Sequence, residues 1–165
     1  MSWQSCRLGD VLTLKRGHDL PEQQRQDGEV PVVSSSGITG WHKESKAKAP
    51  GVVTGRYGTI GEVFFLEQDY WPLNTALYSV NLHGNHAGFL RYMLEPLAPL
   101  FHLNSAKSAV PGIDRSDIHT IPVAVPLGVP KFVLLKALKN SARNSAFETS
   151  LMNGNAKFFC KPKSS

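Results

Sequence analysis

Two cysteines, Cys6 and Cys160, are all that the 165 residues contain. A pair so far apart supports neither a disulfide framework nor a zinc ribbon, so ordinary thiols in a reducing cytoplasm are expected. No apolar run approaches the roughly 20 residues of a membrane-spanning helix. Met1-Ser2-Trp3-Gln4-Ser5 lacks the basic-then-apolar order of a signal peptide. The chain is therefore expected to be soluble and intracellular, with no membrane partner. Catalytic signatures are missing as well: there is no Gly-x-Ser-x-Gly elbow, and neither cysteine lies in a recognisable nucleophile setting. His83 and His86 straddle Gly84-Asn85 without a cysteine or carboxylate beside them, which makes solvated loop histidines the expectation. No catalytic, cofactor or metal residue is assigned.

A chain of this length is enough for one compact unit with a core of its own. Its net charge of +5 suggests nucleic acid until it is divided. Met1 to Pro126 carries 11 Lys and Arg against 12 Asp and Glu, whereas Leu127 to Ser165 carries 7 against 1. The basicity belongs to the C-terminal stretch, so global charge is no argument about what residues 1–126 bind. Within that stretch Phe132, Leu135 and Leu138 have the spacing of a basic amphipathic helix, and residues 144–165 have no period. The expected organisation is a domain over 1–126 and a basic, divergent tail over 127–165, partly helical or disordered.

Leu8 to Gly17 reads as a turn or short helix running into a strand. Val30 to Ser34, Gly51 to Arg56, Glu62 to Leu66 and Ala76 to Leu82 are short β-branched or aromatic runs bounded by Gly, Pro, Asn or Asp, the signal of strands. Phe89, Leu90, Met93, Leu94 and Leu97 recur at helical spacing until Pro96 interferes, which predicts one short helix over Gly88 to Glu95. Ile118 to Val125 alternates like a final strand. The predicted class is α+β, with a largely antiparallel N-terminal β portion and a smaller helical portion near Gly88 to Leu103.

Four short phrases, three of them centred on glycine, punctuate this pattern in order. They are Ser34-Ser35-Ser36-Gly37-Ile38-Thr39-Gly40, Gly55-Arg56-Tyr57-Gly58-Thr59-Ile60-Gly61, Trp71-Pro72-Leu73-Asn74-Thr75, and Ala109-Val110-Pro111-Gly112-Ile113-Asp114-Arg115-Ser116-Asp117-Ile118. Glycine punctuation alone is common in loop-rich proteins. In this order the phrases resemble the target recognition domain of the specificity (S) subunit of type I restriction-modification systems, from about Trp3 to Pro126. The resemblance implies the same α+β arrangement and recognition of one half of a bipartite double-stranded DNA target. It also implies partnership with a methyltransferase (M) subunit and possible engagement of a restriction (R) subunit. The Asn-Pro-Pro-Tyr or Asp-Pro-Pro-Tyr motif and the glycine-rich cofactor motif of adenine methyltransferases are absent, so methyl transfer would belong to a partner. Full S subunits continue with a second proline, a Glu-Gln pair and a long spacer helix. This chain instead has Leu127-Gly128-Val129-Pro130-Lys131. It resembles half a specificity subunit with a divergent, truncated or frameshift-like end, for which a homodimer mimicking a whole subunit is one possible arrangement. The alternative is a truncated, non-assembling remnant or an interaction module without DNA specificity.

Reading bases in the major groove needs polar side chains on narrow elements. Ser35, Ser36, Thr39, Trp41, His42 and Lys43 satisfy this if Ser34 to Lys43 is a DNA-facing hairpin; in an ordinary serine-rich turn, Trp41 would instead pack on the core. Gly55 to Gly61 opens no helix and lacks the Gly-Lys-Ser/Thr ending of a phosphate loop. It reads better as a turn presenting Arg56 and Tyr57, with Arg56 able to grip a phosphate or a guanine edge. The bland alternative pairs Arg56 with Glu62 and packs Tyr57. Arg56 and Lys43 are both expected to tolerate alanine without loss of the fold. Lys15 and Arg16, near His18, and Lys107, Ser108 and Arg115 form small basic clusters that the family brings near DNA, although such residues are most often simply solvated. Trp71 is expected in the core and Asn74-Thr75 in an Asx-type turn.

Overall fold

A computed structural model describes residues 2–106 and 112–127. The readings made for Lys107, Ser108 and the tail beyond Leu127 fall outside the described residues. The opening strand β1 (Ser2–Arg7) leads through a 3-10 turn at Leu8–Asp10 into β2 (Thr13–Arg16). Five further strands and a short one follow: β3 (Val30–Ser34), β4 (Gly37–His42), β5 (Gly51–Gly55), β6 (Val63–Leu66), β7 (Trp71–Pro72) and β8 (Ala76–Asn81). The helices α1 (Ala87–Leu94), α2 (Ala98–Ser105) and α3 (Arg115–His119) precede the closing strand β9 (Pro122–Leu127). The α+β class is as expected.

The strands form an antiparallel sheet in the order β2-β8-β5-β6, a second sheet β4-β3-β7, and a ribbon in which β1 pairs with β9. The largest core lies between the first sheet, the ribbon and the helices. Leu8, Leu12, Leu14, Val52 and Leu77 meet Leu90, Leu94, Phe101, Ile113 and Ile118 there. A second core joins the two sheets through Val33, Val53, Tyr70, Ala76 and Tyr78. Leu20, Val32 and Trp71 form a third, small one, so Trp71 is buried as expected.

Two boundaries differ from the sequence reading. Ile118 does not begin the last strand but is buried from a helix, because the Asp114 carboxylate accepts the Ser116 N–H at 2.7 Å and so caps α3. That bond holds the Asp114 carboxyl below the usual carboxylate range. Ile121 closes the turn after this helix, its N–H donating to the Ile118 carbonyl at 3.1 Å, and the strand starts only at Pro122. The helix expected over Gly88 to Glu95 is α1, but helical structure does not stop at Pro96: a 3-10 turn at Glu95–Leu97 links α1 to α2. Pro96 and Pro99 sit in the first turn of the segments they occupy, where a missing N–H breaks nothing.

α3 is tied to the sheet edge by His119, whose Nε2 accepts the Leu14 N–H at 2.9 Å. The acceptor nitrogen must be unprotonated, and burial, then Arg115, push the imidazole below its ordinary value of 6.5. A group with a lowered folded pKa supports the fold fully above its unfolded value and loses that support as pH falls through the folded one. Denaturation midpoints should therefore drop as pH is taken below about 6.5. The drop should be shallower in His119→Gln, whose amide oxygen accepts without titrating; equal slopes in the two proteins would contradict the role.

Candidate nucleic-acid interface

Register brings the glycine phrases to one place. Arg16 pairs with Leu77, Gly55 with Ala76 and Thr54 with Val63, so β2 and β5 end where β8 and β6 begin. Leu73 N–H donates to the Val33 carbonyl at 2.8 Å, which sets the end of β3 beside the turn before β8. At this end of the sheet the Thr75 carbonyl accepts the backbone N–H of both Arg56 (2.9 Å) and Tyr57 (3.1 Å). The Thr75 hydroxyl oxygen accepts the Ser35 N–H at 3.4 Å. Arg56 then holds Ile113 from two sides. Its carbonyl accepts the Ile113 N–H at 3.1 Å, and its Nε donates to the Ile113 carbonyl at 3.2 Å.

Glycine is required where these turns touch. A Cβ on Gly55 would fall 1.7 Å from the Thr59 carbonyl oxygen, and one on Gly112 would fall 2.1 Å from the Tyr57 ring. Residues from all four phrases thus take part in a single joint.

The expected site residues distribute around it unequally. Ser35 and Ser36 form the two-residue tip of the β3–β4 hairpin, with Ser34 and Gly37 as its closing pair. The Ser34 hydroxyl accepts the Ser36 N–H at 3.2 Å and lies 3.0 Å from the Ser36 hydroxyl, which stiffens the tip. Arg56 and Tyr57 are half-buried, with the guanidinium 4.3 Å from the centre of the Tyr57 ring. No Arg56–Glu62 ion pair forms among the described residues. Arg115 is exposed at the start of α3.

Lys15 and Arg16 are both exposed, but successive strand residues point to opposite faces. Lys15 pairs with Tyr78 and shares its face. Near it the His18 imidazole contacts the Tyr78 hydroxyl at 3.2 Å, and burial, then Lys15 and Lys46, lower its pKa.

Thr39, Trp41 and Lys43 are exposed, and they run away from the tip along β4. Lys43 follows the strand and lies roughly 20 Å from Gly37 at a strand's rise per residue. His42 is not available to solvent. It is buried, its Nδ1 accepts the Gln26 N–H at 3.0 Å, and its ring stands edge-on to Trp71 at 5.1 Å. Asn74 does not form the expected Asx turn: its side-chain amide donates to Asp19, and the turn is closed by Ala76 N–H donating to the Leu73 carbonyl at 2.9 Å.

Two cations escaped the sequence reading. Arg25 donates from Nη1 to the Thr39 carbonyl at 3.1 Å, and Lys46 places its ammonium 5.1 Å from the Trp71 ring centre. Neither stands in a local pattern, and only the fold brings each to its partner. His83 and His86 have structural partners: His83 Nε2 contacts the Thr13 hydroxyl at 2.7 Å, and His86 Nδ1 accepts the Gly88 N–H at 3.1 Å as the cap of α1.

The α+β body thus gathers hydroxyls, a guanidinium and a phenol at one sheet end. Residues 1–147 match the type I restriction modification DNA specificity domain, and the chain belongs to that family. The match runs past Pro126, where the motif resemblance stops. The family is one of specificity domains rather than of catalytic subunits. The fold is similar to the S subunit of a type I restriction-modification system from M. genitalium, with a TM-score of 0.71 and 13% identity. That similarity covers 94% of this chain and 43% of the other. It is also similar to a chain from a structural study of complex assembly and conformational transition of the type I R-M system, with a TM-score of 0.68, 15% identity and coverage of 94% and 42%. For the HsdS subunit from Thermoanaerobacter tengcongensis the TM-score is 0.63 and the identity 16%, with coverage of 94% and 40%. The chain spans less than half the length of each. No curated protein sequence matches.

Arg56 has a structural partner as well as a loop position, because its side chain braces Ile113 ahead of α3. Arg56→Ala should lower unfolding stability by about 1–2 kcal/mol through loss of a charged donor to a half-buried carbonyl. Lys43→Ala should leave stability unchanged. Urea denaturation of the two variants separates these roles, and equal midpoints would remove Arg56 from the frame.

Proposed function

We propose that this chain reads a short double-stranded DNA sequence as one half of a bipartite target, on behalf of an M subunit and an R subunit that supply the chemistry. The convergence of the four phrases on one end of the sheet carries this reading, because it gives an exposed, stiffened hairpin beside a guanidinium and a phenol. A two-stranded ribbon is narrow enough to enter the major groove. In this reading Ser35, Ser36, Thr39 and Trp41 face base edges, with Arg56 and Tyr57 at their flank. Lys43, Arg115 and one of Lys15 or Arg16 take phosphates, since phosphate contacts fix register while base contacts specify. Lys107 and Ser108 are near neighbours in sequence of Gly112 and join the same set. His42 serves by packing under the hairpin.

Residues 1–126 act as the reading domain, and the basic stretch 127–165 adds affinity without sequence preference. In this proposal two copies can present the two half-sites. The work belongs in the cytoplasm, where the DNA and the partner subunits are. The chain itself needs no cofactor; S-adenosylmethionine, Mg²⁺ and ATP belong to the partners.

Selection of bound duplexes from a randomised pool by the full chain should enrich one short sequence. On that duplex Lys43→Ala should weaken selected and scrambled DNA alike, and should lower the slope of log affinity against log salt by about one. No enrichment over the starting pool would overturn the reading.

A further inference from the structure

The β3–β4 hairpin exposes two large apolar side chains: Ile38 is 53% and Trp41 51% accessible, among polar residues at a strand edge. Three apart on a regular strand, they would point to opposite faces. The register shifts between Val32 and Val33, so Ile38 pairs with Val33 and Trp41 with Pro31, while Thr39 is left as the extra residue. Val33 and Pro31 are two apart on β3 and share a face. Ile38 and Trp41 therefore share one too. It is opposite to the face of His42, which pairs with Val30 and packs on Trp71. The bulge makes an apolar pair out of residues that straight pairing would separate, and neither is needed to fill a core.

We infer that Ile38 and Trp41 form a thymine-reading pair, which recognises the C5-methyl groups of A·T base pairs in the major groove. This rests on the DNA reading proposed above and names what that site selects. Of the four bases only thymine offers an apolar group at the major-groove edge, and an aliphatic or aromatic side chain is its natural contact. Trp41 adds one donor, its indole N–H, which suits the neighbouring thymine O4. Two residues along β3 span about 7 Å, close to two base steps of 3.4 Å per strand. The exposed edge strand β4 lying along the groove would set the two side chains on bases two steps apart. Lys43, exposed just beyond Trp41, supplies the positive charge that draws this edge to the duplex.

The test uses the full chain and the duplex obtained by selection, with each thymine replaced in turn by deoxyuridine, which lacks only the methyl. One or two of these replacements should weaken binding by about three- to fivefold, the scale of one buried methyl. In Ile38→Ala or Trp41→Ala, thymine and deoxyuridine should bind equally at the matching position. Both side chains are exposed, so these variants should keep the wild-type denaturation midpoint. A selected sequence without thymine, deoxyuridine tolerated everywhere, or variants that retain the full methyl preference would each overturn the inference while leaving DNA recognition intact. Failure to enrich any sequence would instead overturn the DNA reading itself, and this inference with it.

Discussion

The backbone carbonyl of Thr75 is the point on which the candidate interface depends. By accepting two successive N–H groups it fixes Arg56 and Tyr57, and Arg56 in turn clamps Ile113 through donor and acceptor at once. Ile113 is fully buried in the largest core, so the clamp ties the surface turns to the interior and sets the position from which Asp114 caps α3. Backbone groups do most of this. A loop end that must hold shape while its outward side chains vary is well served by bonds that do not depend on those side chains. The requirement falls instead on glycine, at Gly55 and Gly112, where neighbouring turns leave no room for a Cβ.

This explains what was legible beforehand. The strands over 30–34, 51–55, 63–66 and 76–81 were readable because β-branched runs bounded by turn residues encode themselves locally. The order of the four phrases was readable as a family resemblance, and Gly55 and Gly112 within them mark close approaches that the fold cannot relax. The last strand was begun too early because Ile121, Val123 and Val125 alternate as a strand does and the pattern was carried back to Ile118; Asp114 as a cap was the overlooked local cue. Pro96 looked like a terminator; it is a first-turn residue of the next helical segment.

The candidate site was less legible for a physical reason. Exposure and partnership are long-range properties. His42 and Trp41 are adjacent in one polar phrase, yet strand geometry buries the first against Trp71 and exposes the second. Lys15 and Arg16 read as one cluster and point apart. Arg56 read as a loop cation because nothing near it in sequence reveals a partner 57 residues away. Residues 1–126 are almost neutral overall, so the proposed binding has to come from where a few cations stand and not from their number.

The central claim is that the end of the sheet assembled around Thr75, together with its hairpin, is the face that meets DNA. Hydroxyl-radical footprinting of the full chain with and without its selected duplex, read by mass spectrometry, tests this at the level of side chains. Trp41, Ile38 and Tyr57 should lose reactivity together on adding the duplex, while Leu103, exposed on α2, should not change. Protection of Leu103 with Trp41 and Tyr57 unaffected would place the DNA on the helical side and contradict the account.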